Sequence, residues 1–204
     1  MFEVEIKIKL EDSNKFLDFL SNFDLKHKFD LLHIDSYYNM PLGLRDFQKT
    51  DEALRIRKTI TFKPEQIYNN DAIISKSSDF TYKGAKIDKL TKTRIEYVCN
   101  IDNSEILDKI LQILGFRKIL DVKKERKLFE ICYNNEKIQV TIDKIEQLDG
   151  YYSEFEIQTA NKNELDSKRE LLFDLIKKFG ISEQQSIRTS YLELILEKMN
   201  FKNL

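Results

Sequence analysis

After its initial Met the chain reads Phe2-Glu3-Val4-Glu5-Ile6-Lys7-Ile8-Lys9-Leu10, with hydrocarbon and charge alternating at every step. A strand gives that alternation physical meaning, because residues two apart share a face. Phe2, Val4, Ile6 and Ile8 line one side; Glu3, Glu5 and Lys7 line the other. The pattern recurs along the chain. Arg55 and Arg57 oppose Leu54 and Ile56, and Arg94 and Glu96 oppose Ile95 and Tyr97. Lys124 and Arg126 share a face, and Asp143 lies opposite Val140 and Ile142. Glu154 and Glu156 oppose Phe155 and Ile157, and Lys83 sits in Thr81-Tyr82-Lys83-Gly84.

On a single strand such a charged face ordinarily points to water over an apolar core. Two features turn it inward here. Three amphipathic helices need an apolar surface to cover, and the outside of an inverted barrel supplies one. The charges are also sorted by strand: Glu pairs near the chain ends, Arg and Lys pairs in the middle. A merely solubilising surface would mix the signs. Seven or eight strands joined mainly by short turns predict an antiparallel sheet, and their matched alternation favours closure into a barrel. The expected class is α+β, mainly β.

The helices are expected at residues 13–23, 102–115 and 162–179, with 186–199 partly helical. Asp12 or Ser13 caps the first, and Asp102 with Glu105 forms a capping box on the second. Strands are expected at residues 2–10, 27–39, 52–60, 80–86, 92–101, 117–132, 136–147 and 151–159, with a short turn near Asp88. Asn134-Asn135 and Asp149-Gly150 suit hairpin turns. Residues 61–78 read as a long polar loop or flap that could cover one tunnel mouth.

The 204 residues are read as a single domain, 1–204, large enough for a substantial core. Charged residues make up 34%, yet acids and bases cancel to −1, so no global field would draw nucleic acid. No apolar run is long enough to span a membrane, and the chain begins with a strand rather than a signal peptide. Cys99 and Cys132 fit no metal-ligand spacing, which points to a reduced, cytoplasmic setting. Several residues are read as structural: His33 packed or hydrogen-bonded, His27 exposed at a turn, Cys99 a small core residue, Phe16, Phe19 and Phe23 core, and Lys123, Glu125 and Lys127 an outer rim.

Charges in a closed lumen cost several kcal/mol each unless paired or liganded. Arg and Lys clusters suit phosphate oxygens, and clustered carboxylates suit Mg2+ or Mn2+, hard ions that bridge carboxylates to phosphates. A tunnel bearing both fits a metal-bound polyphosphate.

The ordered set of motifs resembles the CYTH, or triphosphate tunnel metalloenzyme, superfamily across about residues 1–195. It comprises Glu3-x-Glu5-x-Lys7, Glu52-Ala53-Leu54-Arg55-Ile56-Arg57, Thr81-Tyr82-Lys83-Gly84, Thr93-Arg94-Ile95-Glu96-Tyr97, Leu114-Gly115-Phe116, Val122-x-Lys124-x-Arg126, Ile142-Asp143 and Glu154-Phe155-Glu156-Ile157. Asp35-Ser36-Tyr37-Tyr38 and Thr189-Ser190-Tyr191 resemble the class IV adenylyl cyclase branch. The resemblance implies an eight-stranded antiparallel tunnel with helices packed outside. It implies that Glu3, Glu5, Glu154 and Glu156 hold the metal, with Glu96 and Asp143 as additional ligands. Lys7, Arg55, Arg57, Lys83, Arg94, Lys124 and Arg126 would grip phosphates, and Glu3, Glu5 and Lys7 would stand at the chemistry. The implied activity is conversion of ATP to 3′,5′-cyclic AMP and pyrophosphate. The alternatives are a triphosphatase acting on tripolyphosphate, thiamine triphosphate or nucleoside triphosphates, and a non-catalytic polyphosphate binder. ATP or another triphosphate is the expected partner, and a homodimer is compatible with the resemblance.

Overall fold

The computed structural model describes residues 2–87 and 91–199. In chain order the elements are β1 (Phe2–Leu10), α1 (Ser13–Leu20), β2 (Lys26–Asn39), β3 (Ala53–Phe62), β4 (Ile73–Lys83), β5 (Arg94–Asn100), α2 (Ser104–Ile113), β6 (Arg117–Tyr133), β7 (Glu136–Ile145), β8 (Tyr151–Thr159), α3 (Leu165–Lys178) and α4 (Tyr191–Lys198). The strands close into a barrel in the order β1-β5-β4-β3-β2-β6-β7-β8. The expected class, mainly β with a closed eight-stranded antiparallel barrel, is what the chain adopts.

Local sequence explains the joints. Asn134 and Asn135, at φ 50° and 64°, both take the left-handed conformation that a two-residue hairpin turn needs between β6 and β7. Asp12 caps α1, accepting from the backbone N–H of Asn14 and Lys15. β1 pairs along its whole length with β8, from Phe2↔Thr159 to Leu10↔Tyr151. It meets β5 only at Phe2↔Ile95 and Glu3↔Arg94.

The apolar faces point outward, beneath the helices. Val4, Ile6, Ile8, Phe129, Val140, Phe155 and Ile157 pack against Phe16 and Leu20 of α1 and Leu172, Leu175 and Ile176 of α3. Leu54, Ile56 and Tyr38 pack against Leu111 of α2. A third cluster has a different location. Val122, Ile145 and Tyr152 share strand parity with Lys124, Asp143 and Glu154, so they face the barrel interior, where they meet Tyr191 and Ile195 of α4. The C-terminal helix therefore fills one end of the lumen with hydrocarbon.

Several expectations are corrected. Residues 73–78, expected in a loop, belong to β4, and the remaining connection turns away from the tunnel mouth. Its Glu65 pairs with Lys127 at 2.7 Å and with His27 at 3.3 Å, and the Tyr68 hydroxyl donates to Glu125, so it lies on the outer face of β2 and β6. His27 is thus a partly buried strand residue, also 2.8 Å from Asp30, and not an exposed turn residue. Cys99 is exposed, on a stretch of β5 that runs past its pairing with β1. The cap of α2 is Asn103, whose side chain accepts from the Ile106 N–H, and not Asp102. The expected turn at Asp88 lies outside the described residues. Among the described residues no helix is long and apolar enough to cross a membrane.

Candidate active site

A cavity of about 350 Å3 occupies the barrel interior. Of the residues singled out from the sequence, Glu3, Glu5, Arg55, Arg57, Lys83, Arg94, Glu96, Lys124, Arg126, Glu154 and Glu156 all line it. Strand order divides them into two walls. β5, β1 and β8 are neighbours in the barrel and carry Glu96, Glu3, Glu5, Glu154 and Glu156. β3, β2 and β6 are neighbours on the other side and carry Arg55, Arg57, Lys124 and Arg126.

The basic wall is braced by a few acids. Asp35 on β2 accepts from Arg57 Nε at 2.6 Å and Nη2 at 2.7 Å, with Arg55 3.8 Å away. Burial opposes ionisation of Asp35, but Arg57 and Arg55 outweigh it and hold the carboxyl far below its usual range. Arg55 also donates to Thr81 at 3.2 Å and Asp79 at 3.4 Å. Arg126 grips Asp143 through two hydrogen bonds at 2.7 and 2.6 Å and donates again to Glu154. Lys124 has Asp143 at 3.7 Å, yet burial and the neighbouring Arg126 lower it to about 8.

The acidic wall is under-neutralised. Lys83 pairs with Glu96 and stands 3.9 Å from Glu3. Lys92 pairs with Glu5 and stands 3.3 Å from Glu154. Glu154 stays ionised despite burial because Lys92, Arg126 and Lys124 surround it. Burial and the Glu154 charge push Glu5 up to about 8, with Lys92 opposing. Burial raises Glu3, Lys83 pulls it back, and Glu156 and Glu96 add to the rise. Burial and Glu5 raise Glu156, which accepts a hydrogen bond from Gln158 at 2.8 Å.

Lys7 and Asp143 do not line the cavity. Tyr191 walls them off: its hydroxyl donates to Asp143 at 2.9 Å, and its ring lies 3.8 Å from Lys7 Nζ. Lys7 donates instead to the Thr189 carbonyl at 2.8 Å, and burial drives it far below the usual lysine range. Sequence reasoning also passed over members of the site. Lys92 shares the parity of Arg94 and Glu96 within the expected strand 92–101, so alternation alone would have found it; Asp79 precedes the expected strand at 80–86 and carries no such signal. Asp35 was noticed only as part of a motif.

Among the described residues no three carboxylate, histidine or cysteine groups already stand together in a metal-binding arrangement. The chemistry of Glu3, Glu5 and Glu156 nevertheless fits a hard divalent cation. They are oxygen donors, Glu5 buried and Glu3 and Glu156 half-buried, and pushed toward protonation by burial and by neighbouring carboxylates, a cost that a bound cation relieves.

A family model for the CYTH domain matches residues 1–191. A protein of Methanocaldococcus jannaschii named "putative adenylate cyclase" is 36% identical over 197 residues, covering 95% of this chain and 98% of that one. Adenylate cyclase CyaB of Aeromonas hydrophila is 27% identical over 203 residues, covering 99% and 93%. Among solved structures, the PH1819 protein of Pyrococcus horikoshii superposes with a TM-score of 0.79 at 32% identity, over 96% of this chain and 99% of that one. The Hippeastrum protein HpAC1, described as having a dominant triphosphatase activity, shares the fold at a TM-score of 0.57 and 19% identity, covering 99% and 97%.

Proposed function

The chain belongs to the CYTH domain family of metal-dependent tunnel enzymes, and on that premise we propose that it is an adenylyl cyclase converting ATP to 3′,5′-cyclic AMP and pyrophosphate. The observation that carries the reading is the facing pair of walls, one of under-neutralised carboxylates and one of clustered cations braced by a few acids, across a cavity of about 350 Å3. A triphosphate lies along the basic wall, its oxygens meeting Arg55, Arg57, Lys124 and Arg126. Lys83 of β4, Arg94 of β5 and Lys92 just before β5 meet it from the other side. Glu3, Glu5 and Glu156 would hold Mg2+ or Mn2+; Glu96, Asp143 and Glu154 are committed to their own cations. When bound, such an ion supplies Lewis acidity and neutralises charge on the phosphates.

A nucleoside is favoured over bare tripolyphosphate because the same cavity has hydrocarbon walls. Phe47, Leu192 and Ile119, the residue skipped in the β2–β6 bulge, line it beside the charged groups. In the cyclisation the ribose 3′-oxygen attacks the α-phosphorus and pyrophosphate leaves. The cationic wall stabilises the departing charge, so catalysis rests on positioning and fixed electrostatics. The names of the M. jannaschii and A. hydrophila relatives support the cyclase. A triphosphatase is the second reading, kept because HpAC1 shares this fold. Incubation with ATP and Mn2+ or Mg2+ followed by product separation decides between them. Cyclic AMP with pyrophosphate is expected; ADP or orthophosphate as the main product overturns the cyclase.

A further inference from the structure

His33 stands on the lumen face of β2, in the middle of the basic wall. Strand register pairs it with Thr59 on β3 and with Lys124 on β6. The adjacent lumen positions on those strands carry Arg57 and Arg126, and Asp35, two residues along β2, is engaged by Arg57. The side chain is 4% exposed and lines the cavity. Nδ1 lies 3.0 Å from the Thr59 hydroxyl oxygen, and Nε2 has no hydrogen-bond partner among the described residues.

A buried polar atom without a partner is a cost to the fold, because it has given up its hydrogen bonds to water. In a cavity wall, that cost is recovered when a ligand supplies the partner. The surrounding cations determine what kind of ligand that is. Burial, and then Arg57, Lys124, Arg126 and Arg55, keep the imidazole neutral, well below its ordinary range. A Thr59 hydroxyl that donates to Nδ1 leaves the ring hydrogen on Nε2, the atom without a partner. A neutral donor among four cations is built for an anionic oxygen.

We propose that His33 is a further polyphosphate-binding residue of the tunnel, its Nε2–H donating to a phosphate oxygen held by Arg57, Lys124 and Arg126. This rests on the triphosphate reading above and adds one property to it. The negative ligand offsets the cationic part of the field that, with burial, kept the ring neutral, so His33 shifts toward its protonated form as the ligand binds. An arginine or lysine that is already charged cannot do this.

The chain has two histidines, which makes the test clean. His27, paired with Asp30 on the outer face, is an internal reference. Tripolyphosphate alone, without metal, is titrated into the wild-type protein at pH 7, where Lys124 is already mostly charged. Proton NMR should move the His33 ring resonance toward imidazolium and leave His27 in place. Calorimetry in two buffers of different ionisation heat should show net proton uptake. His33→Gln, which keeps a donor but cannot titrate, should reduce that uptake while retaining most of the affinity; His33→Leu should lose about tenfold. If tripolyphosphate binds but His33 does not shift, the proposal is overturned and the tunnel reading stands. If tripolyphosphate does not bind the wild type at all, both fall. The wild-type measurements decide even where a variant fails to fold.

Discussion

Deleting Arg57 should damage stability and binding by separable routes. Asp35 is 3% exposed, and Arg57 supplies its two short hydrogen bonds. In Arg57→Ala the carboxylate keeps only Arg55 at 3.8 Å. With charges about 4 Å apart and an effective dielectric near 20, the lost attraction is about 4 kcal/mol. That lies within the roughly 3–5 kcal/mol typical of orphaning one member of a buried pair. For a chain of this length it corresponds to a melting temperature about 10 °C lower. Asp35→Asn in the Arg57→Ala background removes the orphaned charge and should restore more than half of the loss. Binding behaves differently. Arg57→Ala should weaken tripolyphosphate by about 2 kcal/mol, near thirtyfold, at the low end for a buried charged contact because Asp35 already occupies the guanidinium fork. Asp35→Asn alone frees that fork and should tighten tripolyphosphate. Thermal unfolding and calorimetric titration of the wild type, both single variants and the double variant give the full cycle. An unchanged Kd in Arg57→Ala would place the guanidinium outside the binding site. A double variant no more stable than Arg57→Ala would refute the buried-pair reasoning.

Three further outcomes are expected. Glu5→Ala should abolish turnover while leaving the far-ultraviolet spectrum and melting temperature little changed, since a carboxyl near 8 contributes little ionic stabilisation at neutral pH; normal turnover at saturating metal contradicts its assignment. Lys124 sits near 8 in the fold against an ordinary 10.5, so between those values the unfolded chain binds the extra proton and wild-type stability rises with pH. Relative to Lys124→Met, that rise should approach about 3 kcal/mol between pH 7.5 and 10.5 in urea unfolding, and parallel curves for the two proteins would disprove the shift. Tyr191→Phe keeps the ring over Lys7 and loses the bond to Asp143, which Arg126 still holds, so it should cost about 1–2 kcal/mol in chemical denaturation; Tyr191→Ala should cost about 3–5 kcal/mol because the plugged end loses its packing, and equal losses for the two would show that the ring contributes nothing.

Period-two alternation made the lumen legible, because parity fixes which face a side chain takes once a strand exists. Glu3, Arg57, Lys124 and Glu156 were found that way. Parity says nothing about depth along the tunnel. Lys7 and Asp143 have the right parity but lie where Tyr191 closes the passage, and only the docking of α4 reveals it. The start of β4 was illegible for another reason. Ile73-Ile74-Ser75-Lys76-Ser77-Ser78 packs little on either face, so no buried pattern marks it, and it is a strand because it pairs with Lys58–Phe62. The exposed Cys99 reflects strand stagger, which composition cannot encode.

The two walls explain why the tunnel suits a metal-bound polyphosphate better than either component alone. Each wall holds groups whose ionisation is opposed by burial and by like-charged neighbours: Glu3, Glu5 and Glu156 are raised, and Lys124 and His33 are lowered. Beyond the Arg126–Glu154 contact the walls do not cancel each other, because the cavity lies between them. A lone anion relieves the cations and aggravates the carboxylates beside it, and a lone divalent ion does the reverse. An object with phosphate oxygens on one side and a cation on the other relieves both at once, so the two components should bind with positive coupling, each strengthening the other by the same factor. The repulsion stored in the ligand-free lumen therefore becomes specificity for the paired ligand.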